Sequence, residues 1–577
     1  MFQTYHLLPA TCHLPAASLM PPRSLLPFLI AFLLLRLVFW FTTFPNPDEA
    51  YYWLWGQHPG LSYYDHPPFP AWIQGFTTAV FGRSRFVLRL PNLVSNGIFF
   101  YIYYRITTYL YGTTARHYFW LTVLLILASP LYFLFLALAW NDHWLITFSL
   151  ISCYWFIQFL DGYLRDGKGE SWRLYGAAGA IGLAFLCKYN AVFIILGFAA
   201  AIVANKGLHP LGRDRRIYWA GAIAASALIP ILLWNLSNDF QSFHYYVDRS
   251  VNTRGFNLNI GPCLNFLLFS FLLVSPFNWI GFYRSFKQRD RWMSSSPTYR
   301  SVAFWVFLSS TVPLTMISLL SAALYYWNIT AYLLLFPLVP AVFLKAEGRG
   351  QRAEGEEGGH GDTTGTRGHG GKDSQHSALS TQHSALIQNS KFKIQNSPTP
   401  HTPHPTPLLW NGQFYGLLFA TLLIIHYSIL PISALFSKTE DPDSRMLFGW
   451  EKVAAVVSAE STELEQFSFP HPTPHTPHPT PPLLITTDYR SASALAFQRN
   501  DPTVIAISDR VDQFDFWYPS EQSFKNRNAV ILFDDWHPIQ PKLLSQFKQT
   551  SAPVTIPITR FGVWIKNYYV LRGYQFK

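Results

Sequence analysis

The residues best equipped for chemistry in this 577-residue chain lie between positions 44 and 72, FPNPDEAYYWLWGQHPGLSYYDHPPFPAW. Asp48 and Glu49 stand side by side, His58 follows, and Asp65 is joined directly to His66 before a Pro-Pro step. A carboxylate within hydrogen-bond reach of a hydroxyl takes its proton as the oxygen becomes a nucleophile. A second acid beside an imidazole suits a cation or the charge of a departing anion. These groups are set among Tyr51, Tyr52, Trp53, Trp55, Tyr63 and Tyr64, and Trp and Tyr in such a belt favour the headgroup level of a bilayer. Carboxylates at that level need water, a cation or a hydrogen-bond partner. A plainer reading exists for each. Asn46-Pro47-Asp48-Glu49 reads as an N-cap, a proline at N1 and acids in the first turn, and Asp-His-Pro-Pro serves as a turn. Acids at a helix N-terminus remain ionised and able to accept a proton, so both readings of Asp48 can hold.

The elements that must position this stretch are membrane helices. The chain is 50% hydrophobic and only 13% charged, against about 25% charged residues in an ordinary soluble domain. Apolar runs at 24–43, 90–110, 119–137, 142–160, 174–188, 190–204, 218–235, 262–282, 301–323, 329–345 and 409–430 give roughly eleven spans. The proline-led segment 67–81 is expected to lie along the surface. The formal charge of +11 is not a nucleic-acid footprint, because much of it sits in short loops between apolar runs. Arg105 and Arg116, Arg165 to Arg173, Lys206 to Arg216 and Arg284 to Arg300 all fall on the cytoplasmic side if the N-terminus is inside. The loop 44–86, the Asn141-Asp142-His143 corner and the loop 236–261 then share the outer face.

Residues 1–23 form an N-terminal extension of uncertain status, and the run at 25–41 reads as a retained first helix because no small-residue cleavage site follows it. Domain 24–345 is expected to be the transmembrane catalytic unit. Residues 346–408 are rich in Gly, Ser, His, Thr and Pro, cannot bury a core, and read as a disordered cytoplasmic insert. PHTPHPTP at 400–407 recurs at 474–481, in a second insert near 470–482, as expected of a repeat spread through permissive loops. After the last span at 409–430, the tail 438–577 reads as a small extracytoplasmic α/β domain, with strands at 483–487, 503–507 and 529–533 and helices at 491–498 and 542–547. Cys12, Cys153, Cys187 and Cys263 form no CxxC and read as small hydrophobes.

The Asp-Glu pair after the first helix, the aromatic segment and Tyr-Tyr-Asp-His-Pro-Pro together resemble the first extracytoplasmic loop of the protein O-mannosyltransferase and aminoarabinose transferase superfamily, the GT-C type of families 39 and 83. The segments TDYRSASALAF at 487–497 and FDFW at 514–517 resemble the distal part of bacterial family-39-like members. The resemblance implies a polytopic glycosyltransferase of the inner (plasma) membrane that moves a sugar from a polyprenyl-phosphate donor to a lipid, glycan or protein acceptor on the outer face. It implies Asp48 as the base, with Glu49 orienting or assisting it. It places a divalent metal contact at Asp65, with His244 as a second candidate, and a donor-phosphate contact at His66, where the family has Lys. Histidine there is charged only below about pH 6.5 unless a carboxylate raises its pKa. Lys188 follows a family-like Gly-Leu-x-Phe-Leu pattern and is a phosphate candidate, or a side chain snorkelling to headgroups. Arg249 is a further phosphate candidate, and His58, Asp142 and Asp248 complete the list. No Walker loop, GxGxxG or HExxH occurs, so no nucleotide or organic cofactor is expected. The rival reading is a multi-pass transporter or a lipid-linked sugar flippase, which would suit charges near Asp142 and Lys188 but normally shows repeated halves, and the chain shows no internal duplication.

Overall fold

A computed structural model describes residues 20–250, 258–287, 297–321, 323–344, 406–468, 481–519 and 524–577. The two inserts carrying the repeats, Cys12 and most of the N-terminal extension lie outside the described residues. The chain opens with α1 (Leu26–Thr42), α2 (Pro47–Gln57), α3 (Phe69–Phe81) and α4 (Arg85–Tyr111). The next group is α5 (Ala115–Leu127), α6 (Pro130–Phe135), α7 (Asn141–Asp166), α8 (Ser171–Phe185) and α9 (Val192–Ala204). Then come α10 (Arg215–Ser226), α11 (Ile229–Ser237), α12 (Gln241–Ser250), α13 (Ile260–Val274), α14 (Pro276–Lys287) and α15 (Pro297–Leu320). The short α16 (Pro340–Phe343) precedes α17 (Pro407–Ile424), whose last turn widens into a π-helix at Ile425–Ile429.

Among the described residues, three helices are long and apolar enough to cross a membrane, and up to eight spans result if each of five bent pairs counts as one. Proline accounts for two bends that hydropathy smooths over. The run at 262–282 turns by 90° between α13 and α14, at Ser275-Pro276. The run at 329–345 is two short 3-10 segments and α16, bent by 50° and interrupted by Pro337 and Pro340. It is buried among other helices, which an apolar run tolerates as readily as lipid.

Charges inside the bundle have structural partners. Arg36 of α1 donates to the carbonyls of Tyr132, Phe133 and Leu136 at 3.2–3.3 Å, around the C-terminal end of α6. The surface helix α3 packs on α2 through two glycines. A Cβ on Gly56 would stand 2.6 Å from the Gly75 nitrogen, so the close crossing excludes any side chain at either position. Trp72, Phe76 and Phe81 on the other side of α3 are exposed, as expected of a helix lying in an interface.

The tail folds as α18 (Pro442–Arg445), α19 (Trp450–Ser468), β1 (Leu483–Thr486), α20 (Tyr489–Arg499), β2 (Ile505–Ala506), α21 (Gln513–Trp517), β3 (Ala529–Asp534), α22 (Pro541–Ser545), β4 (Phe547–Thr550), β5 (Val554–Arg560) and β6 (Val563–Phe576). The sheet order is β2-β1-β3-β6-β4, with β5 also on β6. The three strands read from the sequence are its parallel half. The antiparallel half was not legible, because β6 (VWIKNYYVLRGYQF) mixes polar residues into both faces. One of them, Lys566, is fully buried and donates to Asp534 at 2.6 Å.

Candidate active site

The turn from α1 into α2 is built by its own residues. Asn46 is the N-cap and accepts from the Asp48 amide at 3.0 Å, Pro47 occupies N1, and the Asn46 amide donates to Glu49 Oε2 at 2.9 Å. Successive residues on a helix point about 100° apart, so Asp48 and Glu49 cannot face the same site. Asp48 faces a cavity of about 330 Å³. Glu49 faces the protein. Its carboxylate receives Arg89 Nε at 2.8 Å and Nη2 at 2.6 Å, together with the Ala139 amide at 2.7 Å. Arg89 also donates to the carbonyls of Phe39, Thr43 and Phe44. Glu49 thus ties α1, α2, α4 and the segment before α7 together, and its part in orienting Asp48 is that of a clamp.

The same cavity gathers Asp65, His66, Asp142 and Lys188 from the sequence-derived candidates. Lys188 lies in extended backbone after α8 and donates to both oxygens of Asp142, at 2.9 and 2.8 Å. It is buried in this pair rather than snorkelling. His66 lines the cavity beside the Tyr52 ring. Asp65 Oδ2 accepts from Tyr51 Oη at 3.0 Å, and Oδ1 accepts from Arg510 Nη2 at 2.6 Å.

Arg510 is the residue that sequence reasoning missed. It comes from the loop between β2 and α21 in the tail domain, stacks over the rings of Tyr489 and Tyr245, and brings a permanent positive charge into the cavity. The domain is seated by further bonds. The Gln513 amide donates to Tyr51 Oη at 2.9 Å, and the Gln513 side chain accepts from the Tyr64 amide at 2.7 Å. The resemblance marked segments on both sides of Arg510, but nothing local distinguishes this arginine from a solvated loop charge.

Other candidates are placed elsewhere. His58 stacks on Trp517 and contacts the Pro502 carbonyl, which makes it a joint between loop and tail domain rather than part of the cavity wall. His244 is exposed on α12 and does not line the cavity, although Tyr245 does. The side chains of Asp248 and Arg249 lie outside the described residues. Among the described residues no three His, Cys, Asp or Glu side chains converge as a metal site, and both Asp65 oxygens already hold donors. This donor set does not fit a resident divalent ion held by Asp65 and His244.

Electrostatics set Asp48 apart. Enclosure by protein pushes its carboxyl up to about 7, helped by the negative charges of Asp443 and Asp65 and opposed by Arg490 and Arg510. A carboxyl poised there changes charge near neutral pH, where a general base is most effective.

Residues 65–234 match the family described as dolichyl-phosphate-mannose-protein mannosyltransferase. The chain is 27% identical over 323 residues, 54% of its length, to a lipid A galacturonosyltransferase, RgtD, of Rhizobium johnstonii, and spans 64% of that relative's own length. Its fold is similar to that of ArnT from Cupriavidus metallidurans. For the apo form the TM-score is 0.54 at 13% identity, covering 95% of this chain and 97% of that one. For the form bound to undecaprenyl phosphate the TM-score is 0.55 at 14% identity, covering 95% and 98%. The chain is therefore similar in fold to ArnT and, over part of its length, similar in sequence to sugar transferases, in keeping with the resemblance carried by the first loop, and it ends in a small sheet domain.

Proposed function

We propose that the protein is an integral membrane glycosyltransferase that moves a sugar from a polyprenyl-phosphate donor to an acceptor hydroxyl of a cell-envelope lipid, glycan or protein on the extracytoplasmic face. One observation carries the reading: a carboxylate poised near neutral pH and two cation–carboxylate pairs, Arg510–Asp65 and Lys188–Asp142, line one cavity. The undecaprenyl phosphate bound to ArnT and the lipid A on which the Rhizobium relative acts supply the chemical classes.

In this mechanism Asp48 accepts the acceptor hydroxyl's proton while that oxygen bonds to the anomeric carbon. The bond from that carbon to the phosphate oxygen breaks in the same step, and the configuration inverts. The electron pair leaves on the phosphate. Arg510, His66 and Lys188 compensate its charge. Arg510 takes up the task that a histidine at position 66 performs poorly at neutral pH.

The proposed topology is roughly eleven crossings of the inner membrane, N-terminus inside and tail domain outside. The helix α7 supports it. It starts at the cavity with Asp142 and runs 26 residues, about 39 Å at 1.5 Å per residue, to the basic turn around Arg165–Arg173. Residues 350–405, within the proposed cytoplasmic insert, are proposed to be dispensable for insertion and activity.

The test is transfer by purified, reconstituted protein from radiolabelled polyprenyl-phosphate sugars to lipid A. Release of free polyprenyl phosphate with a new glycosidic bond of inverted configuration is expected. Movement of the lipid-linked sugar across the vesicle without bond formation would establish the flippase reading instead.

A further inference from the structure

A second cavity, of about 410 Å³, lies between the tail domain and the membrane helices, and shares no lining residue with the first. Its walls include Arg85 at the start of α4, Lys452 of α19 and Arg560 at the end of β5. Glu451 is the one acid among its described lining residues and pairs with Arg85 at 3.4 Å. Lys452 Nζ donates to the Pro557 carbonyl at 2.9 Å, and the Arg560 guanidinium lies over the Phe448 ring. Three cations against one acid leave the cavity positive. Its polar wall is completed by Ser428 and Tyr427, which belong to the π-helix ending α17. Such widened turns insert an extra residue at an energetic cost and recur at functional sites.

The cavity's position selects the ligand. Thr42, where α1 ends, and the terminal turn of α17 both line it, so it opens where membrane helices give way to the tail domain. Apolar side chains stand exposed around it. Phe41 precedes Thr42, and Phe561 follows Arg560 at the tip of the β5–β6 hairpin, with a left-handed φ of 53° and 75% of its surface open. Phe436, 84% exposed, follows a 3-10 turn that packs against β6. Cations below apolar fingers at a membrane surface match a phosphate headgroup with acyl chains beside it. The basic loops that orient the bundle lie at its other end, so orientation alone does not account for three cations here.

We propose that this cavity is a binding site for the phosphate headgroup of an anionic membrane lipid, separate from the reaction cavity and independent of the reaction assigned to it. Full-length protein, purified and delipidated, is offered phosphatidylglycerol and phosphatidylcholine, and the retained lipid is read by native mass spectrometry. Wild type retains phosphatidylglycerol in preference to phosphatidylcholine. The double variant Lys452→Gln/Arg560→Gln, which alters two exposed side chains, loses roughly 10–30-fold of that preference at about fivefold per surface cation. Glu451→Gln shifts the preference the other way, by about fivefold. Excess inorganic phosphate that displaces wild-type protein's lipid shows recognition of phosphate itself, and lipid retained against it shows recognition of headgroup and chains together. Equal retention of both lipids by wild type, or an unchanged preference in both variants, would overturn the assignment.

Discussion

Replacing Asp48 by Asn separates chemistry from architecture, because the two roles predict opposite signs. The folded protein holds the Asp48 carboxyl at about 7, against an ordinary value of 3.8. A proton bound more tightly in the folded state stabilises the fold below the unfolded value, and that contribution is lost as pH rises through the folded value. From pH 5 to pH 7 the wild type should therefore lose up to about 2–3 kcal/mol relative to the variant, at 1.36 kcal/mol per pH unit. Asp48 is only partly buried, so this is the upper end. The asparagine variant lacks the titration and should be the more stable protein at pH 8. A first-turn acid serving only the helix dipole would instead cost about 0.3–1 kcal/mol on removal. Chemical unfolding of both proteins in detergent across pH 5–8 measures the difference. Turnover is read on the same samples. Wild-type kcat/KM should climb about tenfold per pH unit below 7 and level off above, and Asp48→Asn should lose about 10²–10⁴ in kcat. Parallel stability curves would refute the poised carboxyl, and near-normal turnover in the folded variant would remove Asp48 from the chemistry.

Glu49→Gln should behave as a folding mutation. It leaves the Arg89 charge buried without its counter-charge, at a cost of about 3–5 kcal/mol, visible as lost thermal stability with kcat largely preserved in the protein that still folds. Arg510→Gln should raise the donor KM about 10–100-fold, the value of a charged hydrogen bond to phosphate, while leaving the acceptor KM unchanged. Asp65→Asn should also act mainly on the donor KM, and a fall in kcat alone for either would contradict a phosphate role. A reporter fused within residues 350–400 should read cytoplasmic and one at Lys577 extracytoplasmic. The opposite result at either position would break the proposed orientation.

The first loop was legible because its signals are local. Asn46 and Glu49 write a capping box around Pro47, and these three residues place Asp48 in the first turn whatever surrounds them. Apolar runs marked the helices, since lipid and protein interior impose the same demand on length and hydrophobicity. That equivalence is also why the apolar run at 329–345 reads as a span while its kink and its burial among other helices show only in the structure. The parallel strands of the tail showed as short apolar runs, whereas β6 hid its place because a buried lysine paired with Asp534 looks in sequence like a surface residue. Where the side chains of Asp48 and Glu49 each point was beyond the sequence. Adjacent acids are equivalent on paper, and only the packing of α2 against α4 sends Glu49 to Arg89 and Asp48 to the cavity. The pairing of Asp65 with Arg510, 445 positions apart in the chain, likewise exists only because the tail domain seats on the first loop. Cation and carboxylate attract through space, and space between distant segments is set by the fold.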